Sequence, residues 1–519
     1  MSELPKSELR LIADLPTALT FEVRDATIYQ AQVARQVWVN DQPVLETPLN
    51  VFTLRDLQPD TVYRVRVDGH EVAVRTEALK AVVDPRRFGA KGDGVTDDTH
   101  ALQAAISACP VNGLVRLGAG QYLTGPLFLK SCMSLEITRD ASLLGQRDMT
   151  RWPVLPAILP DANGADGAYV GTWEGEAFDC HAGLINILSA HTVNIYGEGL
   201  IDAQAGFDTW WSRPKSPFAH GGLTAWRPRL LFVVDSEQVT IEGITVQNSP
   251  SWTVHPVNSR WLTFAGLKIK APADSPNTDG LNPESCADVV IAGVHFTVGD
   301  DCIALKSGKI SMAKKRLRPT RRVTISNCWM QDGHGAVVIG SEMACGVYEV
   351  NVTNCLFTGT DRGLRLKTRR GRGTEAVGRD IHFENIRMQG VGTAFVVNSF
   401  YWCDPDGKTD YVADRKARPV DDGTPSLGGV RLKNIRCEGV RHAAIYLLGL
   451  PEQPIDRVEV DGFYARYDAA AEAGAPDMAA TIAPVRHVGV YISAARNIRL
   501  NDLDIEGQTG EKIILEDVT

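Results

Sequence analysis

Four short polar motifs in the second half of the chain carry residues able to do chemistry: Asn277-Thr278-Asp279-Gly280, Gly299-Asp300-Asp301-Cys302, Gly333-His334-Gly335 and Arg365-Leu366-Lys367. Breaking a glycosidic bond requires a protonated carboxyl that gives its proton to the leaving oxygen. It also requires a carboxylate that activates water or attacks the anomeric carbon. Asp300 and Asp301 are adjacent and repel each other when both are ionised, so one of such a set keeps its proton to higher pH, as a general acid must. His334 lies between two glycines that admit close backbone approach, which suits a group that tunes the acid or bonds the sugar. Arg365 and Lys367 alternate by two, so on a strand both project from one face. A forked donor beside a point charge fits a sugar carboxylate.

The intervals say what must position these groups. The gaps from Asp279 to Asp300, from Asp301 to His334 and from His334 to Arg365 are each close to one turn of a solenoid. A short strand pair broken by Gly, Asn or Asp recurs at similar distances: VTIEGITVQN (239–248), LTFAGLKIK (262–270), VVIAGVHFT (289–297), VTISNCWMQD (323–332), VNVTNCLFTG (350–359) and IHFENIRMQG (381–390). That recurrence is the mark of a solenoid, whose repeats bury their faces against their neighbours. β-branched residues, asparagine at turns and the near absence of helical periodicity select a parallel β-helix over a helical solenoid. Residues one coil apart stack at ~4.8 Å, so the expectation is one patch holding three carboxylates, an imidazole, a guanidinium and an ammonium.

Residues 81–519 are expected to form this catalytic β-helix, and residues 1–80 a small β-sandwich. The segment Arg87–Thr99 followed by a helix over 98–108, apolar at Ala101, Leu102, Ala105 and Ile106, is similar to the N-terminal cap of right-handed parallel β-helix proteins, which implies that handedness here. Within the N-terminal module, Leu57-x-Pro59-x-x-x-Tyr63 has the spacing of a tyrosine corner. That module resembles a fibronectin type III domain, with Trp38 as its core tryptophan.

The ordered set NTD, GDD, GHG and R-x-K on a β-helix resembles glycoside hydrolase family 28, the polygalacturonases, over roughly residues 84–510. The resemblance implies hydrolysis of α-1,4 links between galacturonic acid units with inversion, without a metal or other cofactor. It implies Asp300 as general acid, Asp279 and Asp301 as the pair that positions and deprotonates water, and His334 held near the acid. Arg365 and Lys367 would bind the substrate carboxylate, Asn277 would contact substrate or support the acids, and Tyr401 would line a subsite. A fibronectin-like module ahead of such a domain resembles bacterial exo-acting members. The long insertions at about 156–182 and 401–428, with Tyr169, Trp173, Tyr401 and Trp402, are expected to wall off one end of the cleft. Alternatives are an endo-acting or rhamnogalacturonan-type hydrolase of the same family, a pectate lyase, and a non-catalytic tailspike-like carbohydrate-binding β-helix.

The net charge of −9 argues against nucleic acid as partner. Two basic runs, Lys306–Arg322 (including Arg316) and Arg362–Arg372, nevertheless point to a local anionic ligand. No apolar run reaches the ~18–20 residues needed to span a bilayer, and no secretory signal is visible at the start. The expectation is a cytoplasmic monomer, or a periplasmic or secreted protein should the start be incomplete. The ten cysteines read as scattered core thiols, with Cys345 and Cys355 the one pair that could join.

Overall fold

The computed structural model describes residues 8–160, 166–213, 225–315 and 318–519. From Ala81–Val83 onward, successive strands pair in parallel and the chain winds into a β-helix. Its core is built from columns of like residues. Val193, Val239, Leu262, Val289, Val323, Val350, Ile381, Val430, Val458 and Ile498 are aligned from coil to coil. Between such inward columns stands an outward one, in which Thr240, Thr263, Val290 and Thr324 stack, as the two-residue period of a strand requires. The sharp bend inside each repeat uses a left-handed residue: Gly243, Gly266, Gly293, Asn327, Asn354, Asn385 and Asn434 all have positive φ. Glycine and asparagine reach that region at least cost. The asparagines also bond in a ladder, Asn434 Nδ2 to Asn385 Oδ1 at 2.9 Å and Asn385 Nδ2 to Asn354 Oδ1 at 2.7 Å.

The predicted cap helix is present at Thr99–Ala108, with Leu102, Ala105 and Ile106 buried and Ala101 packed beside them. Asp98 serves the preceding loop, its carboxylate accepting from the backbone N–H of Lys91 and Gly92. Ahead of the β-helix, a three-stranded and a four-stranded antiparallel sheet enclose a core of residues such as Leu19, Phe21, Val37, Phe52 and Val65. The Tyr63 hydroxyl accepts from the Gln58 N–H at 2.8 Å, the local bond that the corner spacing predicts. Trp38 is not the core residue expected of it. It is half-buried under the Arg66 guanidinium, while aliphatic residues and two phenylalanines fill the interior.

This module docks along the bends of the β-helix. Buried Glu22 accepts from Ser326 and Asn327, Asn50 donates to Asn327 at 2.7 Å, and Thr53 and Arg55 both donate to Glu242. The described residues contain no disulfide, and Cys345 and Cys355 remain separate thiols. No helix among them is long and apolar enough to cross a membrane.

Candidate active site

The site lies on the strands that follow each bend's far side: Asp301–Leu305, Gly335–Ile339 and Arg362–Lys367. Asp279 enters from the coil before, its backbone C=O accepting from Thr253 and its successor Gly280 donating to the Asp301 C=O at 2.9 Å. Gly335 pairs with Asp301, and the His334 N–H donates to the Asp300 C=O at 3.0 Å. The expected stacking therefore holds for the three acids and for the backbone of His334. It fails for Arg365, which aligns with Val338, farther along the strand. Coils differ in length, so an interval near the average period does not guarantee the same rung position. The long side chains of Arg365 and Lys367 reach back to make the contact that their register alone would not.

One carboxylate oxygen from each of Asp279, Asp300 and Asp301 lies within 4.8 Å of the others. Asp301 is buried, with Lys367 Nζ 2.7 Å from Oδ2 and Arg365 Nη1 3.3 Å from Oδ1. Burial by itself would raise its pKa, but Lys367 and Arg365 outweigh that and hold it at about 2. Burial and the charge of Asp301 raise Asp300, while burial, the charge of Asp300 and that of Asp301 raise Asp279, although Lys306 opposes. The cluster thus holds Asp301 as its most acidic member while Asp300 and Asp279 are pushed upward, and its protons belong to the set rather than to one residue. Both Asp301 oxygens are engaged by cations of the chain itself.

The acids line a pocket of about 470 Å³, its mouth included, together with Asn277, Lys367 and Tyr401. Asn277 is fixed by its Oδ1, which accepts from Arg227 at 2.6 Å. The Tyr401 ring lies under both cations, 5.0 Å from Lys367 Nζ and 5.5 Å from the Arg365 guanidinium carbon. Arg365 itself is 1% exposed and lies behind the pocket wall, divided between Asp301 and Asp477. It is therefore not placed to meet a sugar directly, as the alternation with Lys367 had suggested. His334 stands at the rim with its imidazole turned to Asp361, Nδ1 to Oδ2 2.9 Å. That bond chiefly, with the charge of Asp300, raises the histidine against the burial that lowers it.

Among the lining residues, Trp252 and Glu342 had no motif to announce them, and Lys306 was marked only as the head of the first basic run. Lys306 Nζ is 2.9 Å from Glu342, 4.0 Å from Asp279 and 4.3 Å from the centre of the Trp252 ring. Glu174, Cys403 and Asp404 come from the two insertions, so both do reach the pocket. Of the aromatics expected there, Tyr169 and Trp173 are buried instead, Trp173 stacked on Trp226 at 4.8 Å. The second basic run is an internal ion-pair lattice rather than an open cationic surface. Arg369 and Arg372 hold Asp404, Arg370 holds Glu452, and only Lys367 of the run lines the pocket. The first run disperses: Lys306 joins the site, Arg322 pairs with Asp288 on the outer face, and Arg316 lies outside the described residues.

A carboxylate trio with a shared proton load, set in a pocket on a parallel β-helix, defines a polysaccharide-cleaving glycosidase. The sequence agrees. Residues 132–472 match the model of glycosyl hydrolases family 28, and residues 82–135 match rhamnogalacturonase A/epimerase, pectate lyase-like. The chain belongs to glycosyl hydrolase family 28. It is similar to a probable polygalacturonase of Vitis vinifera, 34% identical over 71% of this chain and 70% of that protein. It is also similar to an exo-poly-alpha-D-galacturonosidase of Dickeya chrysanthemi, 27% identical over 69% of this chain and 63% of that protein. The fold matches a Yersinia enterocolitica family 28 exopolygalacturonase, with a TM-score of 0.74 at 20% identity, over 99% of this chain and 98% of that one.

Proposed function

We propose that this protein hydrolyses α-1,4-galacturonosidic bonds of polygalacturonate or its oligomers, with inversion and from a chain end. The observation that carries the reading is the split within the trio: Lys367 and Arg365, 2.7 and 3.3 Å away, pin Asp301 as a carboxylate, while burial and neighbouring charge push Asp300 and Asp279 upward. Asp300, half-buried at the pocket, donates its proton to the leaving oxygen. Asp301 with Asp279 positions the water, and Asp279 in its ionised form, the stronger base of the pair because its pKa is raised, takes the water's proton. The nearest oxygens of the three acids, within 4.8 Å of one another, are closer than is common in inverting pairs and nearer the spacing of retaining ones. Asp301, however, has both oxygens engaged and is held at low basicity, so it is a poor nucleophile and a good anchor for water. Lys367 supplies the point charge for the substrate carboxylate, and the mouth-side histidine steadies the charge of Asp300.

Exo action is supported by the two insertions, which both line the pocket and meet beside it. Lys309 joins them, with Nζ 3.1 Å from Asp404 and 4.0 Å from Glu176, and its N–H on the Gly175 C=O. The testing experiment is digestion of polygalacturonate with the product anomer followed by NMR and product lengths followed over time. Inverted product released as one short unit supports the reading. Retained configuration overturns the water mechanism, an early ladder of oligomers overturns exo action, and a new double bond in the product overturns hydrolysis.

A further inference from the structure

Asp477 is 1% exposed and lies in the excursion between the strands Ile455–Tyr467 and Val488–Glu506. It falls beyond residue 472, where the match to the family ends. The excursion runs back along the β-helix to the coils that carry Arg362, Arg365 and Asn398. Arg362 donates to the C=O groups of Ala475 and Pro476, Ala479 bridges to Tyr401, and Asn398 donates to Met478. In the midst of these contacts, Arg365 Nη2 lies 2.6 Å from Asp477 Oδ1, and the other oxygen of Asp477 accepts from Asn398 at 2.9 Å. The same guanidinium is 3.3 Å from Asp301. A single buried cation is thus shared by two carboxylates, and the shorter contact is to the one outside the pocket.

We propose that Asp477 is a positioning residue for the hydrolysis: by holding Arg365 it fixes the guanidinium's pose and limits how much of its charge Asp301 receives. This rests on the hydrolytic reading of the trio above. Were Asp477 uncharged, Arg365 would serve Asp301 alone, and Asp301 would bind a proton, and polarise a water, less well. The extra positive charge would also pull the proton from its acid neighbours at lower pH. The groups that bear on Asp301 are Asp279, Asp300, Cys302, Lys306, His334, Arg362, Arg365, Lys367 and the Tyr401 ring. Those on Asp477 are Arg365 and Arg362, the latter 3.7 Å away and also 3.6 Å from Asp361, which holds His334.

The test is the pH profile of kcat/KM on polygalacturonate for wild type, Asp477→Asn and Asp477→Glu, with thermal unfolding of each. Asp477→Asn is expected to move the bell to lower pH by a fraction of the ~1–3 units that a directly adjacent charge produces, because the effect is relayed through Arg365. Its kcat falls several-fold with KM within about twofold, because the group does not touch substrate. Asp477→Glu keeps the charge and is expected to restore the wild-type limbs even at a reduced rate. A role in stability alone would lower the unfolding temperature and leave the profile in place, which overturns the proposal. Should Asp477→Asn fail to fold, Arg362→Gln removes a cation from the same chain of charges and is expected to move the bell upward; an unmoved bell there overturns the proposal as well. Wild type inactive on polygalacturonate would refute the hydrolytic reading itself, whereas active wild type with an unmoved Asp477→Asn profile refutes only the role of Asp477.

Discussion

Lys367 Nζ lies 2.7 Å from Asp301 Oδ2, and this one contact does most to hold Asp301 below its two acid neighbours, whose pKa values are raised. Both partners are buried, so solvent screens the pair little. Replacing Lys367 by methionine leaves a buried carboxylate short of its main partner, a loss of roughly 3–5 kcal/mol of stability by analogy with other broken buried pairs. The denaturant midpoint should fall accordingly, and much of the loss should return in the Lys367→Met/Asp301→Asn double variant. Recovery in the double variant is the measurement that separates lost charge pairing from lost packing.

The acid assigned to Asp300 can be removed without removing its shape. Asp300→Asn is expected to reduce kcat by about 10²–10⁴-fold, the range for a lost general acid, with the fold unchanged by circular dichroism. Reducing-end release from polygalacturonate reads the rate. A variant as active as the parent would move the acid's role to Asp279, whose pKa is also raised.

Acid should loosen the protein through Asp301. Its folded pKa of about 2 lies below the ~3.9 of an unfolded aspartate. A depressed carboxylate contributes stability that is complete above the unfolded value and fades as pH falls toward the folded one. Unfolding midpoints measured from mildly acidic pH down to about pH 2 should therefore decline, and Asp301→Asn should flatten that part of the decline.

Much of this architecture is legible in the sequence because a parallel β-helix repeats itself. The columns from Val193 to Ile498 follow from the recurring strand pairs, and the bends at Asn327, Asn354 and Asn385 follow from residues that tolerate positive φ. The three acids are likewise marked by their motifs. What the sequence leaves unread are partnerships between coils of unequal length. Arg365 appears as a substrate ligand from its alternation with Lys367, yet the coil places it behind the wall, facing Asp477 in an Ala-Pro-Asp-Met-Ala setting that carries no motif. The basic runs mislead for the same reason: the acids that neutralise Arg369, Arg370 and Arg372 lie far along the chain, at Asp404 and Glu452.

His334 offers a pH handle at the rim. The bond to Asp361 raises its pKa above the usual 6.5. The imidazolium therefore persists to higher pH, and its contribution to the site is present below the unfolded pKa and lost as pH rises through the folded one. Asp361→Asn removes that bond's charge and should lower the histidine's titration midpoint, followed by NMR of the ring protons. The alkaline side of the activity profile should then contract toward lower pH if the charged ring supports the reaction. An unchanged midpoint would show that the Asp361 contact does not govern the histidine.

The junction between the two insertions depends on few contacts, which makes it the most accessible test of how the enzyme engages its polymer. Glu176 belongs to one insertion and Asp404 to the other, and Lys309, just after the strand that begins with Asp301, reaches both. Gly175 is part of the same junction. An added Cβ there would lie 2.8 Å from the Lys309 nitrogen and 2.9 Å from the Gly308 carbonyl carbon, and its positive φ suits glycine. Asp404 keeps further ties to Arg369 and Arg372, so loss of Lys309 should free the first insertion without unfolding the second. Lys309→Ala and Gly175→Val are therefore expected to admit polymer past the opened junction, while leaving Asp279, Asp300 and Asp301 where they are. Product profiles should change from one short unit toward a ladder of oligomers, and the viscosity of a polygalacturonate solution should fall faster per bond cut. Unchanged profiles in both variants would mean that the insertions do not set the direction of attack.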